Sequence, residues 1–240
     1  MDFDLSRKIP IGVQSFEKMR NDKYLYVDKT KYVYNLVRTS SPYFLSRPRR
    51  FGKSLFLSTL KAYFLGQKEL FKGLYLEKAE EKRAEIEKTA AWAEYPVLYM
   101  DFNTKYYKDQ EALLTIINLH LDDWEKLYNL TKTLGDIEDR FKAIILALYN
   151  KTGRQVVILV DEYDKPLLQT MGVNEALNEE YRNTLKAFYS VIKTCDQYIR
   201  FAFLTGVTKF SKVSIFSDLN NLQDISMITE YSDICGITVE

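Results

Sequence analysis

The sequence is poor in the residues that several chemistries need. It has one histidine, His120, in 240 residues, which excludes a multi-histidine metal centre. Its two cysteines, Cys195 and Cys235, lie too far apart for a metal or redox motif and read as reduced thiols in or near a core. No apolar run approaches the roughly eighteen residues of a membrane-spanning helix. The start, Met1-Asp2-Phe3-Asp4, has neither the basic nor the apolar segment of a secretory signal. A cytoplasmic domain with no membrane association is expected. An excess of one charge is missing as well: 34 Lys and Arg face 33 Asp and Glu, a net charge of +1. The net charge therefore gives no support to direct nucleic-acid binding. What remains is core material. With 46% hydrophobic and 28% charged residues, and no internal repeat or low-complexity segment, the chain reads as globular and long enough for one substantial core.

The most informative stretch is Arg47-Pro48-Arg49-Arg50-Phe51-Gly52-Lys53-Ser54-Leu55. An apolar run, Tyr43-Phe44-Leu45, precedes it, and the apolar positions Leu55, Leu57, Leu60, Phe64 and Leu65 follow at helical spacing up to Gly66. Strand, tight turn and helix around Gly-Lys-Ser is the context of a phosphate-binding loop. Free N–H groups at a helix start face an anion, and the helix dipole favours negative charge there. In that reading residues 47–55 bind ATP, with Lys53 reaching the β and γ phosphates and the Ser54 hydroxyl on Mg²⁺. The pattern G-x-x-x-x-G-K-[ST] expects glycine where Arg47 stands. Arg49 and Arg50 either complement phosphate charge or face solvent or another subunit.

Along the chain, residues 8–28 read as short extended pieces. Tyr32, Val33, Leu36 and Val37 mark a helix with Asp28 or Thr30 as its cap. Residues 77–94 are charge-rich and read as a solvated helix. Pro96-Val97-Leu98-Tyr99-Met100-Asp101-Phe102 is a buried-strand pattern with a carboxylate near its end. Leu113, Ile117, Leu121, Trp124 and Leu127 mark one helical stripe, and Phe141, Ile144, Ile145 and Leu148 another. His120 sits between core positions of the first stripe and reads as a packed side chain rather than a catalytic base.

Gln155-Val156-Val157-Ile158-Leu159-Val160-Asp161-Glu162 is the strongest strand signal, with the β-branched run that a central parallel strand needs. A helix from about Asn174 to Thr194 follows. A further buried strand, Ile199-Arg200-Phe201-Ala202-Phe203-Leu204, ends in Thr205-Gly206-Val207-Thr208. Residues 209–240 read as loops and short helices. Alternating strand and helix implies α/β architecture with a mostly parallel sheet, whose strand ends place Ser46, Asp101, Asp161, Glu162 and Thr205 along one edge. Asp161 fits a Walker B aspartate that shares Mg²⁺ with Ser54. Glu162 is placed to orient the attacking water, and Thr205 to sense the γ-phosphate. Lys53, Glu162 and Thr205 are thus the expected catalytic residues. Asp164 and Lys165 read as a salt-linked turn before Pro166 at least as readily as residues with a direct catalytic role.

Four blocks, in order, resemble the bacterial AAA-ATPase-like family. They are Tyr24-Leu25-Tyr26-Val27-Asp28-Lys29-Thr30, the loop Arg47-Pro48-Arg49-Arg50-Phe51-Gly52-Lys53-Ser54, Asp161-Glu162-Tyr163-Asp164-Lys165-Pro166, and Leu204-Thr205-Gly206-Val207-Thr208-Lys209-Phe210-Ser211. The resemblance implies a P-loop NTPase three-layer sandwich with an extra strand between the Walker A and Walker B strands. It also implies that the Arg-Pro-Arg-Arg-Phe form of the loop is usual. Residues 1–42 are then a lead-in, 43–210 the nucleotide-binding core and 211–240 the start of a C-terminal part. Members often carry a PD-(D/E)XK-type nuclease domain, for which no residue set stands out here. The C-terminal strand and lid are expected to be missing, as in a shortened chain, a fragmented gene product or a stand-alone module. The implied activity is an ATP-binding, Mg²⁺-dependent ATPase. The alternative is a nucleotide-gated regulatory or scaffold module with negligible hydrolysis, acting with a nuclease domain, a partner protein or further copies of itself.

Overall fold

The computed structural model describes residues 8–39, 41–104, 106–208 and 221–236. The readings for Lys209, Phe210, Ser211 and residues 237–240 lie outside the described residues. Two compact units are present, one from Met1–Thr39, Pro48–Tyr95 and Ser226–Glu240, the other from Ser40–Arg47 and Pro96–Ile225.

The first unit is helical. Helix α1 (Phe16–Asn21) is capped by the Ser15 hydroxyl, which accepts from Lys18 N at 3.2 Å. The sequence reading has extended pieces here, and α1 corrects it. Six residues are too few for a periodic stripe, and the local signal is one serine before buried Phe16 and Met19. Phe16 N donates to the Ser58 hydroxyl of α3 (Lys53–Phe64) at 2.9 Å. Its ring meets Phe71 at 5.0 Å and Tyr26 at 5.2 Å between centroids.

Helices α2 (Thr30–Val37) and α4 (Tyr75–Glu87) are joined through the Tyr24–Thr30 block, whose role is structural. Asp28 Oδ1 accepts from Thr30 N at 2.8 Å and from the Thr30 hydroxyl at 2.6 Å, so Asp28 caps α2. Asp28 Oδ2 accepts from Tyr75 N at 2.7 Å, and Thr30 Oγ1 accepts from Leu76 N at 3.1 Å. Leu74, at the N-cap position of α4, has no side-chain acceptor, and two residues from far away in sequence supply what it lacks. The rest of α4 is largely solvated as its charge implies, except for buried Glu80. That carboxylate takes Arg83 Nη2 at 2.7 Å and Nε at 3.0 Å.

The second unit is built on a five-stranded sheet: β1 (Pro42–Ser46), β2 (Val97–Asp101), β3 (Val156–Asp161), β4 (Ile199–Gly206) and β5 (Gln223–Asp224). The order is β2-β3-β4-β1-β5 and every pair is parallel. β4 therefore lies between β1 and β3, as the resemblance implies. Strand β5 falls in a stretch read as loops and short helices; two residues carry no period, and its pairing with β1 is a purely long-range choice. One sheet face presents Phe44, Leu98, Met100, Ile158, Val160, Ala202 and Leu204 to α5 (Gln110–Leu127), α6 (Ile137–Thr152), α7 (Lys165–Thr170) and α8 (Glu175–Thr194). The expected stripes of α5 and α6 are buried except for Leu127, which stands exposed. The helix predicted from about Asn174 is α8, with the Asn174 side chain accepting from Leu177 N as its cap.

Helix α5 also explains the single histidine. Tyr128 Oη accepts from Val97 N at 2.8 Å and donates to Val97 O at 3.0 Å. Trp124 Nε1 donates to Tyr99 O at 3.3 Å, and His120 Nε2 lies 3.1 Å from Asp101 O. Four helical residues rise about 6 Å and two strand residues about 6.6 Å. Polar side chains at positions 120, 124 and 128 therefore match strand residues 101, 99 and 97 and occupy backbone groups of edge strand β2.

Replacing Asp28 by alanine removes acceptors from two helix starts. It is expected to destabilise the protein by about 1–2 kcal/mol in urea denaturation. An unchanged midpoint would refute the capping role.

Candidate functional site

The Gly-Lys-Ser loop follows directly from β1. Arg47 N donates to Gly206 O at 3.2 Å, which extends the β1–β4 ladder by one residue, and its guanidinium donates to Ser46 O at 2.9 Å. Arg47 is absent from the residues of positive φ, so the glycine of the general pattern has no conformational work to do there. The turn instead uses Arg50 (φ 66°) and Gly52 (φ 89°). Pro48, Arg49, Arg50, Phe51 and Gly52 are exposed, whereas Lys53 is buried and Ser54 and Leu55 are half-buried. Lys53 Nζ donates to Pro48 O at 3.1 Å, so the ammonium is folded back under its own loop. Gly52 precedes α3 with no side chain to cap it, leaving the helix start open to an anion.

A second group of residues gathers at the C-terminal ends of β2, β3 and β4. Asp101 and Asp161 are register partners on adjacent strands. Thr205 Oγ1 donates to Asp161 Oδ1 at 2.5 Å, and Glu162 N donates to the same carboxylate oxygen at 3.1 Å. Burial pushes the Asp101 carboxyl above its usual range; a hydrogen bond from Asn103 N opposes the shift, and the neighbouring Asp161 charge adds to it. Burial also raises the Tyr99 phenol, with Asp161 next among the causes. Two carboxylates side by side in a partly desolvated place form a location that favours positive charge. Glu162 leaves β3 in the left-handed region at φ 50°. Lys165 lies beside it, with Nζ at 4.0 Å from Glu162 Oε2 and donating to Asn103 Oδ1 at 3.0 Å.

Asp164 has a role that sequence reasoning did not foresee. Among the described residues no ion pair joins it to Lys165, whose ammonium lies beside Glu162. The Asp164 carboxylate is fully buried, and its Oδ2 accepts from Val207 N at 2.9 Å, Thr208 N at 2.7 Å and the Thr208 hydroxyl at 2.9 Å. It fixes the turn that leaves β4 beyond Thr205. Tyr163 Oη donates to Thr208 O at 3.2 Å in the same turn. A Cβ on Gly206 would stand 2.8 Å from Tyr163 Cδ1 and 3.1 Å from Asp164 Cγ, so this close approach requires glycine. The one available signal was the Asp164 carboxylate standing three residues past a strand end, opposite a Gly-Val-Thr turn.

Comparison with known proteins identifies a family. Residues 10–216 match the family described as predicted AAA-ATPase. The chain belongs to that family. It is 43% identical over 234 residues to an uncharacterized protein in the vnfD 5' region of Azotobacter chroococcum mcd 1. That alignment covers 97% of this chain and 43% of the relative, so the chain spans less than half of the relative's length. The family supports nucleotide binding. Among the described residues no helix is long and apolar enough to cross a membrane.

Asp164→Ala strands three buried or half-buried donors, and guanidinium denaturation is expected to show a loss of about 3 kcal/mol. Asp164→Asn keeps one acceptor oxygen and should lose less than half of that. Equal losses in the two variants would show that charge, not the acceptor set, fixes the turn.

Proposed function

We propose that the chain is an ATP-binding, Mg²⁺-dependent P-loop ATPase module. The observation that carries the reading is the cluster of Asp161, Glu162 and Thr205 at the ends of adjacent parallel strands, in a sheet whose β1 runs straight into the Gly-Lys-Ser loop. Residues 47–55 would bind the nucleotide, with loop and α3 N–H groups and the Lys53 ammonium holding phosphate oxygens. The Ser54 hydroxyl and the Asp161 carboxylate are hard oxygen donors, and so small a protein donor set suits Mg²⁺, which keeps water and phosphate oxygens in its shell. When bound, the cation would neutralise charge on the transferring phosphoryl group. Glu162 would orient and deprotonate the attacking water. Thr205, its hydroxyl already donated to Asp161, would report the state of that carboxylate to the turn held by Asp164.

One observation favours the slower alternative, a nucleotide-gated switch. Lys165 Nζ lies 4.0 Å from Glu162 Oε2, a cation that competes with the attacking water for that carboxylate. Saturable ATP binding without phosphate release at saturating Mg²⁺ would select that reading.

Lys53→Ala is expected to remove ATP binding measurable by calorimetry; unchanged affinity would overturn the loop assignment. Glu162→Gln should retain ATP binding and lose about 10²–10³-fold in phosphate release if turnover is present. A variant that hydrolyses ATP at the parent rate would exclude Glu162 as the base.

A further inference from the structure

Tyr99 lies on β2 two residues before Asp101, and alternate residues of a strand share one face of the sheet. Asp101 is the register partner of Asp161 on β3, so Tyr99 stands diagonally across from Asp161 on that face, about 6.6 Å back along the strand direction. Its backbone is fixed there: Tyr99 is the register partner of Leu159, and its carbonyl accepts from Trp124 Nε1 at 3.3 Å. The phenol spans the diagonal and donates to the Asp161 carboxylate. Burial and the charges of Asp161, Asp101 and Glu162 raise the phenol, so it keeps its proton and acts as a donor.

Among the described residues, three donors thus reach this carboxylate: the Thr205 hydroxyl and Glu162 N, both on Oδ1, and the Tyr99 phenol. An ionised carboxylate has about four acceptor positions, so one is left open. Tyr99 holds Asp161 from the β2 side and Thr205 holds it from the β4 side, which stops the carboxylate from turning. We propose that Tyr99 is a positioning residue that restricts Asp161 to a single open acceptor position and thereby selects Mg²⁺ over Ca²⁺ in the nucleotide complex. The inference rests on the reading of Asp161 as the carboxylate that holds the cation. Mg²⁺ keeps water and phosphate oxygens around it and uses few carboxylate contacts, so one open position serves it. Ca²⁺ takes about six to eight oxygens and readily uses both oxygens of a carboxylate. On Asp161 the second contact must displace one of the three donors, and a buried donor left unpaired is costly.

The test is calorimetry of ATP binding in Mg²⁺, in Ca²⁺ and in EDTA, on the parent chain, Tyr99→Phe, Asp161→Asn and the double variant. Tyr99→Phe removes one hydroxyl from a half-buried ring, and the ratio of Mg²⁺ to Ca²⁺ affinity is taken within each variant, so a reduced folded fraction cancels from it. The parent is expected to bind ATP more tightly with Mg²⁺ than with Ca²⁺. Tyr99→Phe should shrink that preference about tenfold, the lower end of what partners of metal ligands contribute, and leave binding in EDTA unchanged. Added to Asp161→Asn, it should change nothing further. A parent without Mg²⁺ preference, a Tyr99→Phe chain with the parent ratio, or the same effect of Tyr99→Phe with and without the Asp161 carboxylate would each overturn the role of Tyr99. The reading of Asp161 survives those results as long as Asp161→Asn weakens Mg²⁺-dependent binding. An Asp161→Asn chain that binds ATP with Mg²⁺ as the parent does would instead remove that reading, and this inference with it. A parent that binds no ATP in any of the three conditions would remove both.

Discussion

The parallel pairing of β3 with β4 is the constraint on which the rest of the site depends. Parallel strands cannot be joined by a tight turn, so each crossover returns the chain to the same starting edge and all exits collect at the other. The two strands are buried, and their exits carry polar residues into a place where water is scarce. Those residues must satisfy one another. Asp161 takes the Thr205 hydroxyl, and Asp164 takes three donors from the turn beyond Gly206. The result is a strand-end region in which two carboxylates accept the donors of β4 and of the turn beyond it, beside the buried Tyr163 ring.

The loop that follows β1 is organised on a different principle. Arg47 remains a member of the sheet ladder, and the reversal is made by Arg50 and Gly52. The general glycine pattern describes a loop that needs freedom at both ends; this one needs it only near the helix. Lys53 donates its ammonium to Pro48 O, which folds the side chain back under the loop.

Much of this was legible in the sequence because it is written in local periods. The apolar runs of β2, β3 and β4, the stripes of α5, α6 and α8, and the polar residues at strand ends follow from burial on one or both faces. The features missed share a different cause. Helix α1 and strand β5 are too short to show a period. Asp28 and Thr30 cap a helix that begins 45 residues further on, at Tyr75, a pairing no local pattern encodes. Trp124 is core as its stripe implies, and together with His120 and Tyr128 it also partners the backbone of an edge strand, which becomes visible only when helix rise is set against strand rise. The role of Asp164 lay in a turn more than forty residues away.

The backbone at Glu162 gives an argument about function that does not depend on family. A non-glycine residue at φ 50° costs about 1 kcal/mol relative to ordinary backbone, and glycine would take the same turn without that cost. Arg50 and Gly52, in the loop after β1, show the two solutions side by side: one position accepts the strain and the other avoids it. At position 162 the strained solution places a carboxylate immediately after Asp161, with its N–H spent on the Asp161 carboxylate and a lysine beside its own oxygens. The backbone gains nothing from glutamate there. What the position supplies is the side chain, and that is what the proposed role of Glu162 as general base would use.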